Sequence, residues 1–133
     1  MITKIHSATV LVSDLDASID FYLNILGWEK RIDQAMGPEY RFVTVAPRGG
    51  DAELALGQAK VMGGKPGDVI IPGDENMGPQ TGISFAVEDM DETYRTLVER
   101  GVKFNGPPEV MPWGDKGCWM SDPDGNSFFL VGR

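Results

Sequence analysis

Apolar and polar positions alternate near the start of the chain and again past its middle. Ala8, Val10 and Val12 alternate with Ser7, Thr9 and Leu11; Ile83, Phe85 and Val87 alternate with Gly82, Ser84 and Ala86. A period of two puts each set on its own face of a strand. The larger apolar sets are expected to pack on a following helix. The small and polar sets then face the other way, as candidate lining for a ligand cup.

Each strand pattern runs into a helical one. Asp14 and Asp89 are placed to cap helices, because a carboxylate accepts the orphan N–H groups of a first turn. Leu15, Ile19, Tyr22, Leu23 and Leu26 form one apolar stripe, and Met90, Tyr94, Leu97 and Val98 form the other. Gly27 and Gly101 permit left-handed stops. Three shorter strands are expected after each helix: 29–33, 40–46 and 52–56, then 102–105, 117–121 and 127–131. Asp122-Pro123-Asp124-Gly125-Asn126 suits a tight hairpin turn between the last two.

The two halves share more than their order of elements. Slid by 75 positions, Ser7–Asp16 falls on Gly82–Asp91, matching Val12 with Val87, Asp14 with Asp89 and Asp16 with Asp91. This reads as a duplication. The fold class expected is α+β, with two tandem βαβββ modules forming a curved mixed-sheet cup. The first module spans 1–57 and the second 81–133. Residues 58–80, rich in Gly and Pro, form a connector or flap within one compact domain.

Composition narrows the function. Of 133 residues, 20 are acidic and 12 basic, giving a net charge of -8. That argues against nucleic acid, which needs clustered Lys and Arg. It suits a soluble protein or a cationic ligand. Residues 1–65 carry 7 basic and 8 acidic side chains, while residues 66–133 carry 5 and 12. No apolar run approaches the roughly 20 residues of a membrane span. Met1–Lys4 lacks the form of a signal peptide, and the single Cys118 fits a cytoplasmic protein without disulfides. With no cationic neighbour but Lys116, Cys118 is read as a buried small residue and not a catalytic thiolate. One histidine, His6, excludes a two-histidine metal site within one chain.

The motifs Val12-Ser13-Asp14-Leu15-Asp16-Ala17-Ser18-Ile19-Asp20-Phe21-Tyr22, Leu26-Gly27-Trp28 and Ser121-Asp122-Pro123-Asp124-Gly125-Asn126 resemble those of the vicinal oxygen chelate superfamily. This group includes glyoxalase I, extradiol dioxygenases and bleomycin-resistance proteins. The resemblance covers nearly the whole chain. Its metal enzymes hold one divalent ion with His or Glu from the first and last strand of each module, and the metal stabilises an oxyanion of the substrate. Carried over by position, these ligands fall on Ser7, Glu53, Gly82 and Phe129. Gly and Phe offer no side-chain donor, and Ser is a poor ligand for a divalent ion. His6 lies on the wrong strand face unless a bulge intervenes. Met111-Pro112-Trp113-Gly114-Asp115 resembles a segment that lines a ligand groove in bleomycin-resistance-like members, which bind without catalytic metal.

The resemblance therefore implies a metal-independent protein that binds, and sequesters as antibiotic-resistance proteins do, a planar or cationic small molecule. Ser7, Thr9, Glu53, Gly82, Ser84, Trp113 and Phe129 are its expected ligand-binding residues, with Glu53 also the candidate base. Phe129 in place of a charge favours stacking; Trp119 is a further aromatic candidate or a core residue. No cofactor is expected, and the partners expected are the ligand and a second copy in a homodimer. The alternative is a glyoxalase-type lyase or isomerase, or a dioxygenase, with a rearranged Zn, Ni, Fe or Mn site using His6 and Glu53. A third reading has the cup filled by side chains, in an interaction or structural role.

Overall fold

The alternation of residues 7–12 survives as strand β1 (Ser7–Val12), in which Val10 and Val12 are buried and Thr9 is exposed. The computed structural model describes residues 1–66 and 80–133, in two units, Met1–Asp68 and Val69–Arg133. The 58–80 connector lies largely outside the described residues. Gln58 closes a strand, and Ala59–Met62 forms a single helical turn.

In unit 1, β1 is followed by α1 (Leu15–Asp20), β2 (Glu29–Ala35), β3 (Arg41–Ala46), β4 (Glu53–Gln58) and α2 (Ala59–Met62). The sheet order is β1-β4-β3-β2, with β1 parallel to β4 and the remaining pairs antiparallel. The parallel pair exists because α1 carries the chain across before β4 returns beside β1. Asp14 caps α1 as expected, accepting the Ala17 N–H at 3.1 Å. Beyond Asp20 the helix widens into a π turn over Phe21–Ile25. That extra residue shifts the helical phase. The expected stripe is corrected accordingly: Leu15, Ser18, Phe21 and Tyr22 are buried, while Ile19, Leu23 and Leu26 are only half-buried. Val10, Val12, Val43, Val45, Leu54 and Leu56 supply the buried sheet face. Arg41, on that same face by alternation, bonds Asp16 of α1, which marks it as the helix side.

Unit 2 runs β5 (Ser84–Val87), α3 (Met90–Glu99), β6 (Lys103–Phe104), β7 (Glu109–Val110), β8 (Lys116–Ser121) and β9 (Ser127–Gly132). Its order is β5-β9-β8-β6, with β5 parallel to β9 and β7 paired to β8. The expected third-to-last strand is therefore split: only Lys103–Phe104 pairs, and Glu109–Val110 adds a short strand that the sequence pattern did not mark. Asp89 caps α3 through the Glu92 N–H at 3.1 Å. Met90 and Leu97 are buried, Tyr94 packs edge-on against Phe104 at 4.9 Å, and Val98 is exposed, so the second stripe is narrower than expected. Phe85 stacks on Phe128 at 4.5 Å beneath α3. Buried Cys118 lies 3.7 Å from Met90 Sδ. Burial alone pushes its thiol up to about 11, so it is no ready thiolate. The 122–126 turn forms as read: Asp122 Oδ1 accepts the N–H groups of Asp124 and Asn126, and Gly125 takes φ 84°.

Candidate functional site

Each sheet has a far face, away from its helix. In unit 1 the register pairs Ser7 with Glu53, Thr9 with Ala55 and Leu11 with Gly57, so these six residues share the far face with Thr44. A methyl group at Gly57 would lie 2.7 Å from Met62 Sδ and 3.1–3.2 Å from Thr9 and Leu11. The half-exposed Met62 of α2 thus rests over Gly57. Phe42, two residues before Thr44, joins this face. His6 is exposed before β1 and uses its carbonyl to accept the Glu53 N–H at 2.9 Å.

Glu53 is held by its neighbours. A β-bulge between Lys30 and Ile32 leaves Arg31 without a cross-strand partner. Ile32 N–H then donates to Thr44 Oγ1 at 3.2 Å, and the Thr44 hydroxyl donates to Glu53 Oε1 at 2.7 Å. Arg31 Nη1 lies 3.9 Å from Glu53 Oε2, with the Glu53 side chain only 12% exposed. Nothing in the alternation of residues 29–35 signals this bulge, so Arg31 was not among the expected site residues.

In unit 2, β9 and β8 bring aromatics together. Phe129 pairs with Ser84 on one side and Trp119 on the other. The Trp119 and Phe129 rings sit 4.8 Å apart, tilted by 47°. A methyl group at Gly117 would lie 2.4 Å from Phe129 Cζ and 3.2 Å from Met111 Cε, so ring and thioether both lie over that glycine. Ser84 and Ala86 are exposed on this face. Gly82 lies outside the strand in which it was expected, because its φ of 77° is left-handed and not extended. Trp113 sits in the turn before β8, 63% exposed, with its indole N–H on Asp115 at 3.0 Å. Met111 is the residue of that segment that reaches Gly117, and sequence periodicity gave no sign of it.

The helix side of unit 1 carries a cavity of about 310 Å³ lined by Asp16, Arg41, Gln58 and Lys60, among others. Its arginine is already engaged. Arg41 forks onto Asp33 at 2.7 and 3.1 Å, bonds Asp16 at 3.1 Å and gives its backbone N–H to Gln58. Arg41 and then Lys30 hold the Asp33 carboxyl down at about 2, against an ordinary 3.8. A carboxylate depressed on folding stabilises the fold fully above its unfolded pKa and loses that contribution as pH falls through the folded value. The melting-temperature gap between wild type and Asp33→Asn is therefore expected to shrink as pH drops from about 4 to about 2. The gap is small throughout, because partly exposed ion pairs contribute little. A gap independent of pH would remove the ion pairs as its cause.

Residues 4–130 match the model of the Glyoxalase/Bleomycin resistance protein/Dioxygenase superfamily. The chain belongs to that superfamily. A superfamily member from Sphaerobacter thermophilus, known as a crystal structure, is 48% identical over 99% of this chain and 98% of its own, with a TM-score of 0.87. TnmS3, an antibiotic binding protein from Streptomyces sp. CB03234, is 30% identical over 99% of this chain and 97% of its own, with a TM-score of 0.73. The uncharacterized protein YetH of Bacillus subtilis (strain 168) is 32% identical over 130 residues, 98% of each chain.

Glyoxalase-superfamily metal enzymes would use Ser7, Glu53, Gly82 and Phe129 here, and those residues do not fit a divalent ion. Gly82 has no side chain, Phe129 has no donor and its ring is seated on Gly117, and Glu53 is tied to Thr44 with Arg31 beside it. Among the described residues, no three His, Cys, Asp or Glu side chains are grouped to hold a metal. The cross-strand registers add a correction. Glu53 pairs with Ser7, but Phe129 pairs with Ser84, two residues beyond Gly82. The 75-residue slide that sets Ser7 on Gly82 therefore does not match their places in the two sheets, where Ser84 stands beside Phe129 as Ser7 stands beside Glu53.

Proposed function

We propose that this superfamily member binds a planar small molecule, cationic or uncharged, without a catalytic metal, and sequesters it as an antibiotic-binding protein does. The observation that carries this reading is the Trp119–Phe129 pair on the far face of β8 and β9, seated over Gly117 and bordered by exposed Ser84. Flat apolar rings of this kind stack on planar ligands. The TnmS3 relative, an antibiotic binding protein, supports the same reading. Ser7, Thr9 and Glu53 on the far face of unit 1, and Gly82 and Trp113 in unit 2, belong to the proposed ligand-binding set. The proposed active form is a homodimer, and no helix among the described residues is long and apolar enough to cross a membrane.

Thermal-shift titration with planar 9-aminoacridine and its uncharged relative acridone tests the reading. A ligand that binds only the native state raises the melting temperature with concentration. Stabilisation by either compound, lost in Phe129→Ala, is expected. Near-stoichiometric Zn, Ni, Fe or Mn in protein purified without a histidine tag, and absent from Glu53→Ala, would overturn it in favour of a metal-dependent lyase, isomerase or dioxygenase.

A further inference from the structure

We infer that Arg31 and Glu53 form a recognition site for a carboxamide-like group, one that presents a hydrogen-bond acceptor beside a donor. The inference rests on the chain being a small-molecule binder, but it concerns unit 1 and does not need the aromatic pair of unit 2. The guanidinium is fixed from two sides: Nε donates to Glu29 Oε2 at 3.3 Å and Nη2 to the Pro47 carbonyl at 3.1 Å. The carboxylate is fixed from one side, because Oε1 takes the Thr44 hydroxyl at 2.7 Å. Among the described residues, what remains are Arg31 Nη1, a donor, and Glu53 Oε2, an acceptor, 3.9 Å apart. That separation is too long for a direct N–H···O bond, which spans about 2.7–3.2 Å. It leaves both atoms able to serve a third group between or beside them.

The chemistry of the pair selects its guest. An amide carbonyl accepts from Nη1 while the amide N–H donates to Oε2, so both protein groups are satisfied by one neutral group. An ammonium would meet Glu53 only by setting its charge against Arg31. A carboxylate would meet Arg31 only by facing Glu53. Each wrong guest is rejected by a like charge already in place, which gives specificity through repulsion as well as attraction. The net charge of -8 suggested a cationic ligand, but Arg31, shared between Glu29 and Glu53, places a positive charge where that ligand was expected to land. The bulge produces this arrangement. Past the extra residue at position 31, Ile32 comes opposite Thr44 and its N–H helps fix the hydroxyl that holds Glu53.

Three naphthalenes differing only in their polar group test this: 2-naphthamide, 2-naphthoate and 2-naphthylmethylammonium, each titrated calorimetrically. Wild type is expected to bind the amide at least tenfold tighter than either ion. Arg31→Met leaves Glu53 uncompensated and shifts preference to the ammonium. Glu53→Gln leaves Arg31 facing one carboxylate, Glu29, instead of two and shifts preference toward the carboxylate. These opposite reversals are readouts that a merely structural ion pair would not give, and the wild-type order stands as a test even where a variant does not fold. Equal binding of all three, a preference for the ammonium in wild type, an order that survives both substitutions, or no binding at all overturns the inference. Phe129→Ala separates it from the stacking reading. Amide binding that ignores Phe129 but follows Arg31 and Glu53 supports this site and counts against unit 2 as the platform. Binding that follows Phe129 and ignores the polar group does the reverse.

Discussion

Gly132→Ala is expected to lower the melting temperature by roughly 5–10 °C, at about 4 °C per kcal/mol for a chain of this size. A methyl group there would lie 1.8 Å from the Val87 carbonyl oxygen and 2.8 Å from its carbon. The obstacle is backbone, so no side-chain rotation relieves it. Gly132 pairs with Val87 at the end of the parallel β5–β9 ladder and with Lys116 on β8, so both ladders must shift. The next residue, Arg133, offers its carbonyl to the Met90 N–H at the start of α3, and the disturbance reaches that helix too. Overpacking of this kind typically costs about 1–3 kcal/mol. An unchanged melt for Gly132→Ala, measured by circular dichroism, would show that β5 and β9 do not approach so closely. Gly101 is the contrast: its φ of 87° is left-handed, but no atom lies within 4 Å of an added methyl. Asn, which tolerates that conformation, is expected to be accepted there.

Gly117→Ala is expected to weaken binding of a planar probe at least tenfold while leaving the melt much closer to wild type. Its methyl would lie 2.4 and 2.8 Å from Phe129 ring atoms. Here the obstacle is a side chain that can rotate away, so the fold survives while the stacking surface does not. Base or ring stacking of this kind is worth about 1–3 kcal/mol per planar group, and a tenfold loss corresponds to about 1.4 kcal/mol. Near-ultraviolet circular dichroism should change with the Trp119–Phe129 geometry, and 9-aminoacridine titration reads the affinity. Wild-type affinity in Gly117→Ala would mean that Phe129 is not the platform. The two glycines thus separate a structural clash from a functional one.

The sequence signals that proved readable are local ones. Alternation at 7–12, aspartates at 14 and 89, and the Asp-Pro-Asp-Gly-Asn turn each act within a few residues, and each forms as read, while the second alternating run forms a strand only over 84–87. What escaped depends on one-residue insertions or on distant partners. The π turn at 21–25 adds a residue to a helix whose composition looks regular, and the apolar stripe rotates with it. The bulge at Arg31 does the same to a strand. Gly82 fits the alternation by position, but its left-handed φ takes it out of the strand. Met111 reaches Gly117 only because β7 pairs with β8, and a two-residue strand leaves no periodicity to detect. Of the candidate site, Glu53 and Phe129 were singled out through the family resemblance, which puts metal ligands at their positions. Their neighbours Arg31, Thr44 and Gly117 were not, since each acts through a contact on another strand.

Met62 over Gly57 gives the far face of unit 1 an adjustable calibre. The depth of the surface beside Thr9 and Leu11 is set by a flexible thioether lying on bare backbone, and methionine refits readily to what touches it. Substitution at position 62 alone would widen or narrow that seat, while the β1–β4 ladder beneath keeps every hydrogen bond. A binding surface built this way can drift from one guest to another by single steps, each leaving the scaffold unaltered.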